Sequence, residues 1–278
     1  MQLKRAGILD SELDEVPAPK PAMLPRRSWG HAGKVVWPIA GLVFLIFVWQ
    51  GWVTVFHVKP YLVSSPLTVG REIVDERIVL LTNLVPTAVE SLLGFAVGNV
   101  AGVLLALFFV FSRILRRAFY PAATILWTVP IVAVAPILII YLGFGYSPKI
   151  VVAALITFFP TLVNMVAGFE SVDPQLLELM HLLSAKQRDI FLKLRLPSSV
   201  PYLFAALRIA APGAVIGAIV AEWIGSTRGI GFLIVYATQN FEAPQLYAAM
   251  VVASAYALAL LGLVIVGQRL MGRWDRVK

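Results

Sequence analysis

Hydrophobic positions along this chain gather in long blocks separated by short polar stretches. Six blocks run roughly from Val35 to Phe56, Thr87 to Phe111, Phe119 to Leu142, Ile150 to Val166, Tyr202 to Val220 and Ala248 to Gly267. Each is near the ~20 residues a helix needs to cross ~30 Å of hydrocarbon. The pattern predicts an all-α, polytopic membrane protein with about six transmembrane helices. Pro130 and Pro136 interrupt the third block. Prolines inside a spanning helix free backbone carbonyls, which is tolerable beside a packed or wet interior. Residues 1–34 are polar and rich in Pro, without the apolar core and cleavage site of a secretory signal. They predict a mostly disordered cytoplasmic tail ahead of a transmembrane domain at 35–278.

One polar stretch has a pattern of its own. In the loop at about 171–200, Leu176, Leu179, Met180 and Leu183 repeat at helical spacing, as do Ile190, Phe191 and Leu194, with Lys186, Arg188 and Asp189 between the two groups. Two short helices with an elbow near Ser184 fit this spacing. An apolar face outside the membrane has to be covered by the protein's own helix ends, by the lipid surface or by another protein.

Charge orients the segments, because basic residues near the membrane are retained on the cytoplasmic side. Of the 23 Lys and Arg, only Lys59, Arg71, Arg77, Lys149 and Arg228 fall on one set of alternate loops, while Arg208 lies at the start of the fifth segment. The asymmetry predicts both termini inside, which turns the 171–200 loop, between helices four and five, toward the cytoplasm. Composition agrees: 59% of residues are hydrophobic and 14% charged, against about 25% charged in a soluble domain. The net charge of +8 therefore records topology, and no nucleic-acid partner is expected. The absence of cysteine excludes a disulfide framework, a thiol nucleophile and a Cys-ligated metal. The stretch SWGHAGKV departs twice from a phosphate-binding loop, at Ser28 and Val35. His31, His57 and His181 have no partner at a metal-ligand spacing. No catalytic, cofactor or metal site is predicted.

Acidic groups in a bilayer usually face a cavity or a partner, since each costs about 2.5–3.5 kcal/mol at the centre of a span. Glu90 is open to two roles, a helix-packing hydrogen bond or contact with a transported solute. For Glu222 the expectation is a structural ion pair with Arg228, ahead of solute contact. Thr128, Thr157 and Asn164 are candidates for lining a polar pathway or for bonding helix to helix.

The stretch from Glu178 to Pro197 resembles the EAA loop in permease subunits of bacterial ABC importers, where a Glu is followed six positions later by Gly and then by an Ile-x-Leu-Pro ending. Glu178, Ser184, Leu194, Leu196 and Pro197 stand at that spacing. Leu179 and Met180 replace two alanines, and Ser184 replaces the glycine that would permit a left-handed turn. The flanks GFGYSPKIVVAALITFFPTLVNMVAGFESVDPQLLELM and AAPGAVIGAIVAEWIGSTRGIGFLIVYA resemble the branch that imports nitrate, sulfonates, taurine and pyrimidine or flavin vitamin precursors. PTAVESLLGFAVGNVAGVLLAL resembles the start of the same domain, and the likeness covers roughly Tyr61 to Arg273. The resemblance implies a non-catalytic, multi-pass subunit of the bacterial inner membrane. It would form the translocation path with a second permease copy. Two cytoplasmic ABC ATPase subunits would bind the ATP, so this chain needs no cofactor, and a periplasmic or lipid-anchored binding protein would deliver the solute. In that scheme Glu178 faces a basic group on the ATPase, and Leu179, Met180 and Leu183 fill its cleft. Leu196 and Pro197 fix the start of segment five. An ion-coupled secondary transporter would call for a membrane-centre acid–base pair or two related halves. That class and a membrane scaffold are both disfavoured by the spacing from Glu178 to Pro197.

Overall fold

The computed structural model describes residues 31–59 and 61–271, and every regular element among them is a helix. The 1–34 tail lies outside these residues as far as position 30, as do the basic residues after Met271. In chain order the helices are α1 (His31–Val55), α2 (Pro66–Asp75), α3 (Arg77–Phe111), α4 (Arg113–Trp127), α5 (Ile131–Leu142) and α6 (Tyr146–Glu170). There follow α7 (Pro174–Leu182), α8 (Gln187–Ile190), a π turn (Phe191–Arg195), α9 (Leu196–Glu222), α10 (Ile230–Gln239) and α11 (Ala243–Met271). Two compact units are recognised, one ending at Val48 and the other beginning at Trp49, so the boundary falls within α1.

Among the described residues five helices are long and apolar enough to span a membrane: α1, α3, α6, the run from α8 through α9, and α11. The third predicted block is not one straight helix. α4 and α5 meet at a 99° bend across Thr128–Pro130, and Pro130 precedes α5 as its N-cap. A proline disfavours helical geometry in the residue before it and donates no N–H of its own, so the chain turns here. Segment two also starts ten residues early, since α3 begins at Arg77. Its 35 residues extend about 52 Å at 1.5 Å each, well beyond the hydrocarbon thickness.

Within the second unit α6 is packed between α3 and α9, and small residues set how close the three come. On α3, Gly94, Gly98 and Gly102 recur every fourth residue. A methyl group at Gly98 would overlap Thr157 Oγ1 and the Ala154 carbonyl of α6. Across the other face of α6, a Cβ at Gly217 of α9 would lie 2.9 Å from the Ala153 Cα. Backbones that approach this closely gain dispersion and short polar contacts, which drive helix association where both protein and lipid are apolar. Thr157 Oγ1 donates to the Gly94 carbonyl at 3.3 Å, and Thr161 Oγ1 donates to Asn99 Oδ1 at 2.6 Å. Two apolar clusters close the ends of the bundle. One joins Val69, Leu80, Ile230, Leu233 and Ala249, and the other Phe109, Ala123, Leu162, Met165 and Phe169.

Candidate functional site

Two places in the fold carry chemistry, at opposite ends of α6. The first is the loop that follows its C-terminus. Asp173 caps α7 by accepting from the Gln175 N–H at 2.8 Å, and Pro174 occupies the first helical position, where a missing N–H costs nothing. The helix ends at the predicted elbow. Ser184 stands at φ +54, its N–H donates to the His181 carbonyl and the Ala185 N–H to the Met180 carbonyl, both at 2.9 Å. That pair of bonds around a left-handed residue is a Schellman closure. Serine thus takes the conformation that glycine would have adopted freely.

No residue of α7 is buried. Glu178 is exposed, Leu179 and Leu183 are 51% and 68% exposed, and Met180 is half-buried. Leu176 and Leu182 extend the same apolar surface. Beyond the elbow, Leu194 lies half-buried in the π turn and Leu196 and Pro197 open α9. Segment five therefore starts earlier than Tyr202, because helix runs unbroken from Gln187 to Glu222. The π turn immediately precedes Pro197: the Leu196 N–H bonds to the Phe191 carbonyl, a wider loop that eases the clash of a proline ring with the preceding turn.

The second place is a polar cluster near the N-terminus of α6. Glu90, Thr87 and Glu222 are fully buried and Lys149 nearly so. Glu222 accepts from Thr87 Oγ1 at 2.6 Å and from the Gly231 N–H at 2.5 Å, while Thr87 Oγ1 accepts from the Ile230 N–H at 2.8 Å. Asn83 Oδ1 receives the Gly229 N–H at 3.0 Å. These bonds fasten the glycine-rich turn before α10 to α3, and the Glu222 carboxylate sits where the free N–H groups of α10 concentrate positive charge. Gly229 and Gly231 are required here, because a Cβ on either would collide with the Glu222 side chain. The expected Glu222–Arg228 pair does not form: the cation in this cluster is Lys149, whose Nζ stands 3.1 Å from Glu90 Oε1 and donates to Ser226 Oγ at 2.8 Å. Glu90 and Glu222 are close neighbours, so one lysine serves a pair of carboxyls.

The remaining polar candidates bond locally or between helices. Thr157 joins α6 to α3, Asn164 Nδ2 donates to the Pro160 carbonyl four residues back, and Thr128 Oγ1 donates to the Ile125 carbonyl at the end of α4. In the sequence Lys149 marks only the side of the membrane on which its loop lies. The structure starts the helix at Tyr146 rather than Ile150, which puts Lys149 in its first turn, where a cation at the positive end of a helix calls for a carboxylate.

The family model described as "Binding-protein-dependent transport system inner membrane component" matches residues 98–276. The formylaminopyrimidine transport permease protein ThiX of Halalkalibacterium halodurans is 34% identical over 207 residues, 74% of this chain and 81% of its own. The riboflavin transport system permease protein RibX of Chloroflexus aurantiacus is 30% identical over 261 residues, covering 93% and 96%. The putative aliphatic sulfonates transport permease protein SsuC of Bacillus subtilis is 29% identical over 256 residues, covering 91% and 90%. A solved structure described as an amino acid ABC transporter with histidines shares the fold at TM-score 0.57 and 16% identity, over 71% of this chain and 96% of its own.

Proposed function

This chain belongs to the binding-protein-dependent transport system inner membrane component family, and from that membership we propose that α7 and the elbow at Ser184 form the surface through which a separate ATPase drives it. It is a permease subunit of an ABC importer, a multi-pass protein of the inner membrane. The observation that supports the coupling role is the set of exposed side chains Leu176, Leu179, Leu182 and Leu183 on an element with nothing buried. Apolar area of this kind outside a bilayer calls for a partner, and Glu178 at its edge offers a carboxylate to a basic group on that partner. Both termini lie inside in this scheme, a second copy of the chain completes the path, and an external binding protein delivers the solute. ATP is bound by the partner alone. The nitrogen heterocycles named for two relatives, a formylaminopyrimidine and riboflavin, are the solute class we favour over sulfonates.

A chain without cysteine makes the test direct. With Ser184→Cys as the sole thiol, a short crosslinker applied to native membranes is expected to capture a polypeptide carrying a Walker-type ATPase sequence. Glu178→Lys is expected to insert normally yet lose both solute uptake and this capture. Full uptake by Glu178→Lys would overturn the coupling role.

A further inference from the structure

Beside the elbow, α7, the π turn and the last residues of α3 line a cavity of about 390 Å³, within the range of ligand pockets, which run from about 300 to 1,000 Å³. Its two walls differ in chemistry. One is apolar, built by Val110 and Phe111 of α3, Leu177 of α7 and Phe191 of the π turn. Phe191 is held there by ring contacts at 5.2 Å to Phe111 and 5.6 Å to Phe169. The other wall carries Arg195 with His181 and Gln187, which stand on either side of the elbow in sequence. All three side chains can donate hydrogen bonds, and no carboxylate among the described residues lines the cavity.

Arg195 is the group that calls for a ligand. It is half-buried and makes no hydrogen bond or ion pair with any described residue. The acids of the adjoining loop are engaged elsewhere: Glu170 with Arg116, Asp189 with Lys193, and Asp173 with the Gln175 N–H. A guanidinium partly withdrawn from water presents a rigid fork of donors that matches a pair of phosphate oxygens. The level of the cavity along α3 identifies what carries that phosphate. The apolar run of α3 ends at Phe111, which is 60% exposed, and Ser112, Arg113, Arg116 and Arg117 follow. A change from apolar to basic over so few residues marks the depth of the lipid headgroups.

We propose that this cavity seats the phosphodiester headgroup of an anionic phospholipid of the inner leaflet, and that the lipid ties the α7 elbow to the end of α3. Arg195 grips the phosphate oxygens, His181 and Gln187 donate to the rest of the headgroup, and Phe111 and Leu177 flank its glycerol. Placement in the inner leaflet rests on the orientation with both termini inside. Charge and shape select this ligand together. A choline headgroup would bring a second cation to a wall that holds an arginine and no carboxylate. A soluble anion would use Arg195 but leave Val110 and Phe111 uncovered, whereas a phospholipid uses both walls.

The test is native mass spectrometry of the full chain, released from micelles loaded with equal amounts of dioleoyl phosphatidylglycerol and dioleoyl phosphatidylcholine. The acyl chains match, so any preference reads the headgroup. The phosphatidylglycerol adduct is expected to predominate. That preference should fall about tenfold in Arg195→Gln, the loss of one charge-assisted contact, and fall less in His181→Ala. It should survive in Arg117→Gln, which removes an exposed cation outside the cavity. Excess inorganic phosphate should not displace the lipid. Absence of the preference would overturn the site, as would an equal loss in Arg195→Gln and Arg117→Gln, which would reduce it to general surface charge. Displacement by inorganic phosphate would make the ligand a soluble anion and overturn it too. His181 is exposed, so its variant answers even where Arg195→Gln fails to fold. Crosslinking at Ser184→Cys separates this hypothesis from the coupling role. ATPase capture without a lipid preference removes the headgroup site alone, whereas an Arg195-dependent preference without capture upholds the site and removes the coupling role.

Discussion

Ser184 pays for its position in backbone energy. A left-handed conformation costs an L-residue roughly 1–2 kcal/mol relative to its preferred basins, and the two bonds that close α7 depend on it. Ser184→Gly should therefore stabilise the elbow by about 1 kcal/mol, seen as slower amide exchange at Ala185, while Ser184→Val should speed that exchange. The opposite sign is expected at Gly98. Any side chain there meets the Ala154 carbonyl and Thr157 Oγ1, and overpacking of this kind costs about 1–3 kcal/mol. Gly98→Leu should lower the thermal unfolding midpoint clearly, whereas Gly262→Ala, with nothing within 4 Å, should not. The elbow was legible because a six-residue interval from Glu178 to Ser184 and the leucine spacing both mark a helix end. The Gly94–Gly98–Gly102 series is equally legible as small residues four apart. The partner of Glu222 was not legible. Arg228 is near in sequence, while Lys149 and Thr87 reach the cluster from other helices, and only the packing of α3, α6 and α9 brings them together.

Outside the spanning helices, the stability of α2 should respond to pH. Burial, then the neighbouring charges of Glu76, Asp75 and Glu242, raise the Glu72 carboxyl above the usual carboxylate range. A raised carboxyl binds its proton more tightly folded than unfolded, so its contribution is most favourable at acid pH and is lost as pH rises through the raised value. Amides of α2 should exchange faster relative to the rest of the bundle as pH climbs through and above the usual carboxylate range, once intrinsic exchange is corrected for. Glu72→Gln should flatten that trend; an unchanged trend would show that Glu72 is not its source. At the other end of the bundle, the two Arg116 nitrogens pair with both Glu170 oxygens, tying α4 to the last residue of α6 just before the loop proposed to meet the ATPase. Both side chains are near 40% exposed or more, so the pair belongs in the range of about 0–1 kcal/mol. A double-mutant cycle on thermal stability should return a coupling in that range that shrinks in high salt.

At the scale of the whole molecule, the α4–α5 bend decides where everything after it lies. Hydropathy showed one block from Phe119 to Leu142, and a block cannot distinguish a broken span from a loop that enters the bilayer and returns. The 99° angle is a tertiary property, set by Pro130 and by packing of α5 on α6 and α9 through Ala135, Val152 and Ala221. The two cases differ in parity. If α4 and α5 together cross once, Arg117 and Ser184 are separated by two crossings and share a side. If the pair is re-entrant, only α6 separates them and they face opposite sides. Both residues are exposed, and the cysteine-free background lets each be labelled alone as Arg117→Cys or Ser184→Cys. With a membrane-impermeant maleimide, both should be protected in intact cells and both should react in inside-out vesicles. Reaction of Ser184→Cys in intact cells with Arg117→Cys protected would make α4–α5 a re-entrant loop. It would also carry α7 away from any cytoplasmic ATPase, because the proposed coupling surface and the third crossing stand on the same parity.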